Sequence, residues 1–203
     1  MSLQYKMLSR IRGRGRGWAF TFSDFSDLGS RGVVDVALSR LAGRGAVRRV
    51  IRGVYDFPRQ SKWLGGDAGP DLDSVAQAIA KSRKIRLQIS GAHAANRLGI
   101  STQVPARRVY LTNGRNYDVA VGSGKITFRR AVPKNLLGAG TMAGDAFQAL
   151  RWLGKGGVDD RVVSTLRNRL SDDAKRQLRR DLADMPVWMH PMVSDLTEQR
   201  LNS

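Results

Sequence analysis

Residues 30–58, SRGVVDVALSRLAGRGAVRRVIRGVYDFP, decide how the amino-terminal part of this chain folds. Val34, Ala37, Leu38 and Leu41 recur at i, i+3, i+4 and i+7, one apolar stripe on a helix from Arg31 to Ala42. Ser30 stands before it as N-cap, and Gly43 and Gly45 stop it. The β-type runs Ala46–Ile51 and Val54–Phe57 follow, joined by Arg52-Gly53 as a hairpin turn, and Pro58 closes the unit. Upstream, a short helix from Leu3 to about Ile11 places Met7, Leu8 and Ile11 on one side. The Arg-Gly run of residues 12–17 is expected to break it, and Trp18–Phe22 alternates as a short strand. Ser23 is the expected N-cap of a brief helix that ends at Leu28-Gly29. Helix, strand, helix, turn, helix and hairpin is the order of a winged helix-turn-helix, and residues 1–62 suffice for one.

Composition points the same way. The 203 residues carry 35 Lys and Arg against 17 Asp and Glu, a formal net charge of +18. Such a field attracts polyanions, although a soluble, arginine-rich surface is the plain alternative. Residues 1–62 hold 13 basic and 4 acidic side chains, and residues 63–203 hold 22 and 13, so each part contributes +9. There is no cysteine, which excludes disulfides, thiolate metal sites and thiol chemistry. No run approaches the roughly 18–20 apolar residues of a membrane-spanning helix. Met1–Lys6 lacks the apolar core of a secretory signal, so a cytoplasmic location without membrane contact is expected.

Gln60–Pro70 reads as a linker or exposed loop. Residues 63–203 read as a mixed α+β domain with a helical carboxy-terminal tail. Helices are expected over Leu72–Arg83, Gly91–Leu98, Gly140–Leu153, Arg161–Leu170 and Asp172–Ala183, with a less regular piece after Pro191. Strands are expected over Ile85–Ile89, Arg108–Leu111, Tyr117–Val121 and Lys125–Arg130. The fold class is therefore α+β, with a winged helix-turn-helix at residues 1–62 and the mixed domain at 63–203.

With its apolar stripe turned inward, the helix from Arg31 offers Gly32, Val36, Ser39 and Gly43 outward, flanked by Arg31 and Arg40. Small residues allow close approach to base edges. Ser39 can hydrogen-bond a base or phosphate, Val36 can touch a thymine methyl, and the arginines can reach guanine or phosphate. Ser30 and Arg31 open the helix toward the same ligand. Asp35 lies four residues after Arg31 and is expected to pair with it or face outward. The hairpin adds Arg48, Arg49 and Arg52, and strand alternation sends Arg48 and Arg49 to opposite faces. Arg10, Arg12, Arg14 and Arg16 form a basic cluster before the first strand, either an arm on the nucleic acid or a solvated turn. A further basic patch is expected from Arg107, Arg108, Lys125, Arg129 and Arg130 in the second domain.

Several segments, in this order, resemble the AbiEi-type antitoxins of type IV toxin–antitoxin systems, and most closely a branch of them with no assigned function. They are Phe22-Ser23-Asp24-Phe25, Leu28-Gly29-Ser30-Arg31, Ala37-Leu38-Ser39-Arg40-Leu41 and Arg52-Gly53-Val54-Tyr55 with Pro58. The series continues with Ser90-Gly91-Ala92, Asn96-Arg97-Leu98-Gly99, Ser101-Thr102-Gln103-Val104-Pro105 and Val109-Tyr110-Leu111-Thr112. The resemblance covers about residues 5–155. It implies an antitoxin that binds operator DNA through its winged helix and represses its own operon. The carboxy-terminal domain would counter a nucleotidyltransferase-like toxin, with or without a direct complex. The alternative is a DNA- or RNA-binding accessory protein without operator specificity or toxin partner.

Enzyme readings find less support. Gly138-Ala139-Gly140-Thr141-Met142-Ala143 fits G-x-G-x-x-[GA] formally, but Pro133 argues against the strand that a dinucleotide site requires before it. His93 and His190 stand far apart without metal-ligand spacing, and Glu198 is the single glutamate. Asp159-Asp160 and Asp172-Asp173 sit at helix starts, where the helix dipole accounts for them. No catalytic residue, metal or cofactor is assigned.

Overall fold

The computed structural model describes residues 2–61, 65–104 and 107–197, so Lys62, Pro105 and Glu198 lie outside the described residues. The chain is mixed α+β, with eight α-helices and three sheets among those residues. It forms two compact units. The first comprises the residues up to Ile85 together with Asp118–Ile126, and the second Arg86–Tyr117 together with the residues from Thr127 onward.

The first unit begins with α1 (Leu3–Arg14), whose N-cap Ser2 accepts the Tyr5 N–H at 3.3 Å. The helix runs past the expected stop at Ile11. Arg12 and Arg14 complement the dipole of its last turn, and Gly15, at φ 88°, donates its N–H to the carbonyls of Ile11 and Arg12. After β1 (Ala19–Thr21) comes a single 3₁₀ turn, Phe22–Asp24. Its cap is Thr21 and not Ser23. The Thr21 hydroxyl accepts the Ser23 N–H, while the Asp24 carboxylate accepts the Thr21 N–H at 2.9 Å. The turn stops at Phe25, which leaves the helical conformation to bury its ring edge-on against Phe20, centroids 5.6 Å apart.

Next are α2 (Arg31–Gly43) and the hairpin of β2 (Arg48–Ile51) and β3 (Val54–Asp56), turned at Gly53 with φ 79°. The three strands form an antiparallel sheet in the order β1-β3-β2. Val34, Ala37, Leu38 and Leu41 of α2 join Met7, Ile11, Phe20, Phe25, Val47 and Tyr55 in one apolar core. That stripe is the one its heptad-like spacing predicted.

Asp56 sits at the end of the central strand with a side chain only 2% exposed. It stands opposite Ala19 on one side and Arg48 on the other. Arg48 grips it through two hydrogen bonds, Nε at 3.0 Å and Nη2 at 2.5 Å, and donates a third to the Ala68 carbonyl at 2.8 Å. A buried carboxylate without such a partner would be strongly unfavourable.

The stretch expected as a linker contains a two-rung ladder, β4 (Gln60–Ser61) against β5 (Gly66–Asp67). Helix α3 (Leu72–Arg83) has the expected bounds, yet it belongs to the first compact unit and packs on β1. Ser74 Oγ accepts the Ala19 N–H at 2.7 Å, and Lys81 Nζ lies 2.5 Å from the nearly buried Asp24 carboxylate.

The second unit is built on β6 (Leu87–Ile89), α4 (Gly91–Arg97) and β7 (Arg108–Thr112). The sheet order is β6-β7-β9-β8, where β8 (Tyr117–Val121) and β9 (Gly124–Arg130) form a hairpin whose residues Asp118–Ile126 count with the first unit. Helices α5 (Met142–Leu153), α6 (Asp160–Arg169), α7 (Asp172–Arg180) and α8 (His190–Thr197) follow. Helices α4 and α5 cross so closely that a Cβ on Gly91 would lie 2.3 Å from that of Trp152. A 3₁₀ helix, Pro133–Leu136, precedes the glycine-rich stretch, which turns through Gly138 (φ 60°) and Gly140 (φ 83°) into α5. Its amides serve the fold: the Gly140 N–H is accepted by Gln88 Oε1 at 3.0 Å, and Gln88 Nε2 donates to the buried Asp145 at 2.8 Å.

Two adjacent arginines should behave differently on truncation. Arg48→Ala strands a buried carboxylate and should lower stability by about 3 kcal/mol in urea unfolding. Arg49→Ala, on the exposed face, should stay within about 0.5 kcal/mol of the parent chain. A second expectation concerns acid. The hydrogen bonds from Arg10 hold the Asp27 carboxyl down at about 2 against an ordinary 3.8. Because the folded value is the lower one, this pair's stabilisation is complete above 3.8 and fades as the pH falls through about 2. A carbon-13 NMR titration of the Asp27 carboxyl should find that low midpoint, and Arg10→Met should return it toward 3.8.

Candidate nucleic-acid interface

Helix α2 is held by one face only. Opposite its buried stripe lie Gly32, Val36, Ser39 and Gly43, all exposed, with Val33, Arg31 and Arg40 on the flanks. A Cβ added at Gly32 or Gly43 would meet nothing within 4 Å, so neither glycine serves packing within the chain. The result is a smooth outward strip along the helix. Ser30, at the N-cap, is exposed and makes no side-chain bond to the helix backbone.

On one side of this strip lies a groove of about 560 Å³. Its walls include Arg31, Asp35 and Ser39 of α2, Arg49 and Arg52 of the hairpin, and Arg83 at the end of α3. Four guanidinium groups thus share a concavity with one carboxylate. Asp35 lies 3.6 Å from Arg31, the i,i+4 pairing that the spacing predicted, and the Arg31 guanidinium also stands 5.7 Å from the centre of the Phe22 ring. A concave wall with this excess of cations focuses positive potential, and planar guanidiniums suit phosphate oxygens. The hairpin brings Arg49 to the groove because alternation turns it away from Arg48, and a bulge between Arg49 and Ile51 then resets the strand. On the other side of α2 a second groove, of about 620 Å³, is lined by Gly32, Val33, Val36, Ala37 and Arg40 and by residues 2–4 at the start of α1.

The remaining candidates divide by their partners. Arg48 is committed to Asp56 and serves the sheet, which removes it from the ligand-facing set. Arg14 and Arg16 do not form a loose arm. Arg14 lies over Trp18 at 5.8 Å, while Arg16 lies over Phe57 at 4.7 Å and donates to the Pro58 carbonyl at 2.7 Å. The chain passes this region at Gly17, where φ is 91° and the Arg59 side chain fills the space a Cβ would need. Of the basic patch expected beyond residue 63, Arg107 is exposed and Arg108 donates to His93 Nε2 at 2.9 Å. Lys125 pairs with Asp118 at 2.8 Å, and Arg129 and Arg130, neighbours on β9, are both exposed. Lys125 belongs to the first compact unit and the other four to the second.

Sequence reading missed Arg83 and Val33. Arg83 looks like an ordinary dipole-compensating residue in the last turn of α3, and only tertiary packing takes it to the groove. Val33 is separated from the outward strip in the sequence pattern but is 55% exposed beside Val36. Among the described residues, no group of three or more His, Cys, Asp or Glu could hold a metal ion. No helix among them is long and apolar enough to cross a membrane.

No curated protein matches the chain. Among solved structures it is similar to the RV2827C protein from Mycobacterium tuberculosis, at 16% identity and a TM-score of 0.43, over 96% of this chain and 76% of that one. A family model described as "Family of unknown function (DUF6088)" matches residues 6–178. The chain therefore belongs to the DUF6088 family.

Proposed function

We propose that the chain is an antitoxin that represses its own operon by binding operator DNA through an amino-terminal winged helix-turn-helix. In this reading α1, the 3₁₀ turn and α2 are the helical part, the β1-β3-β2 sheet is the platform, and Arg52-Gly53 is the tip of the wing. The observation that carries it is the outward face of α2. It is smooth and without a packing role, and it stands beside a groove walled by Arg31, Arg49, Arg52 and Arg83. A helix that reads base edges needs such a strip, and phosphates on its flank need such a groove. Ser39 and Arg40 are the side chains placed to choose among bases.

The antitoxin half rests on the resemblance to AbiEi-type antitoxins over the two parts of the chain. The target is a nucleotidyltransferase-like toxin encoded beside this chain in the cytoplasm, and neutralisation does not require a stable complex. No step of this work calls for a catalytic residue, metal or cofactor of the chain's own.

Binding of the purified chain to the DNA upstream of its gene should exceed binding to random duplex and should weaken steeply with salt. Arg49→Glu or Arg52→Glu should reduce affinity for all sequences. Each should also flatten the salt dependence by about one unit of slope for every phosphate no longer neutralised. Equal affinity for upstream and random DNA overturns operator recognition and favours the general nucleic-acid-binding reading.

Gly32→Ala and Gly43→Ala offer a sharper contrast. Each should leave stability unchanged or raise it by up to about 1 kcal/mol, because the new methyl meets nothing within the chain. Each should also weaken operator binding on the order of tenfold, the scale of one mismatched base pair. For the antitoxin role, co-expression should rescue growth from an adjacent nucleotidyltransferase gene that is toxic alone. Continued toxicity at full expression of this chain would refute it.

A further inference from the structure

We infer that α2 reads thymine by its 5-methyl group, with Val36 and Val33 forming the apolar contact, so that the preferred DNA carries thymines at fixed positions under this helix. The inference rests on the operator-binding reading and goes beyond it by naming what the helix recognises.

Two valines on the outer side of a helix are at odds with its surroundings. Val33 is 55% exposed and Val36 50%, one turn apart on the same side of α2. They line the groove of about 620 Å³ with Leu3, Ala37 and the unobstructed Gly32, beside the polar Ser2 and Gln4, and only Arg40 brings charge to that wall from α2. The opposite side of the same helix carries Arg31, Asp35 and Ser39. The helix thus has an ionic flank for phosphate and a second flank that is mainly apolar, with Arg40 as its one charge from α2. In a DNA major groove the one apolar feature on a base edge is the thymine methyl.

Charge selects this occupant over a second copy of the chain. The apolar strip shares its wall with Arg40 on a protein of net charge +18, so self-association through it would bring like charges together. A polyanion gains from the same charge. Gly32 and Gly43 add no side chain above the strip, which lets a duplex approach to methyl distance.

The full-length protein is offered a pool of random-sequence duplexes, and the bound fraction is amplified and sequenced. Thymines should be fixed at one or more positions per site. Remaking the selected duplex with deoxyuridine at those positions removes only the methyl groups. It should weaken binding about fourfold per methyl touched, the factor expected for one buried methylene-sized group. Deoxyuridine elsewhere in the site should be neutral. Val36→Ala, at an exposed helical position that alanine suits, should bind the thymine duplex more weakly and show little further loss with uracil.

A selected site whose affinity is unchanged by deoxyuridine overturns the thymine inference and leaves operator binding intact. A pool that yields no selected sequence overturns operator binding itself, and this inference with it. Concentration-dependent self-association of the DNA-free protein that Val36→Ala abolishes would instead assign the strip to a second copy.

Discussion

The amino-terminal unit turns on one ion pair. Asp56 occupies the end of the central strand of a three-stranded sheet, bonded to neighbours on both sides and closed off from water. A carboxylate in that position must be met by a cation with matched geometry, and the two hydrogen bonds from Arg48 do so. The consequences reach beyond the pair. Arg48 is drawn inward, so alternation turns Arg49 outward, and the bulge that follows sets the turn at Arg52-Gly53. Through the Ala68 carbonyl the same guanidinium also fastens the chain on its way to α3. The outward placement of Arg49 and Arg52, the hairpin's two cations in the groove, thus goes with neutralising one buried acid.

The arginines of this unit look alike in a charge count and do different work. Arg10 is clamped on Asp27 and on the Asp24 carbonyl, while Arg14 and Arg16 lie over aromatic rings. Arg59 pairs with Asp71 at 2.6 Å. These side chains hold helix to strand and loop to helix, and their aliphatic stems cover apolar surface as they do so. Arg31, Arg40, Arg49 and Arg52 stand on the outer surface, on α2 and the hairpin beside it. A field of +9 over residues 1–62 attracts a polyanion, and the partners of each arginine decide how much of that charge stays at the surface.

Helix α3 joins the two themes. It packs on β1 through Ser74 and is tied to the 3₁₀ turn by Lys81 on Asp24, a carboxylate that already caps that turn. Its last turn places Arg83 in the arginine groove. A unit that closed at residue 62 would leave β1 uncovered and the groove short of one wall. Seen from sequence, α3 is simply the first regular element after a glycine-rich stretch, and nothing local indicates which side of that stretch it packs on.

Local periodicity determined several of the elements. The stripe of α2, the hairpin at Arg52-Gly53, the bounds of α3 and the alternation separating Arg48 from Arg49 all follow from local rules, and the chain obeys them. Local rules hold because each depends on residues within one or two turns of one another. The tertiary structure decided which arginine meets Asp56, that the 3₁₀ turn is capped by Thr21, and that Arg83 and Val33 line the walls beside α2. It also gave Arg108 to His93 and Lys125 to Asp118, partners that a charge count does not reveal. The physical reason is that a charge has no periodicity of its own. Its role is set by whichever acid, ring or open space the fold brings within a few ångströms, and that is a property of residues distant in sequence.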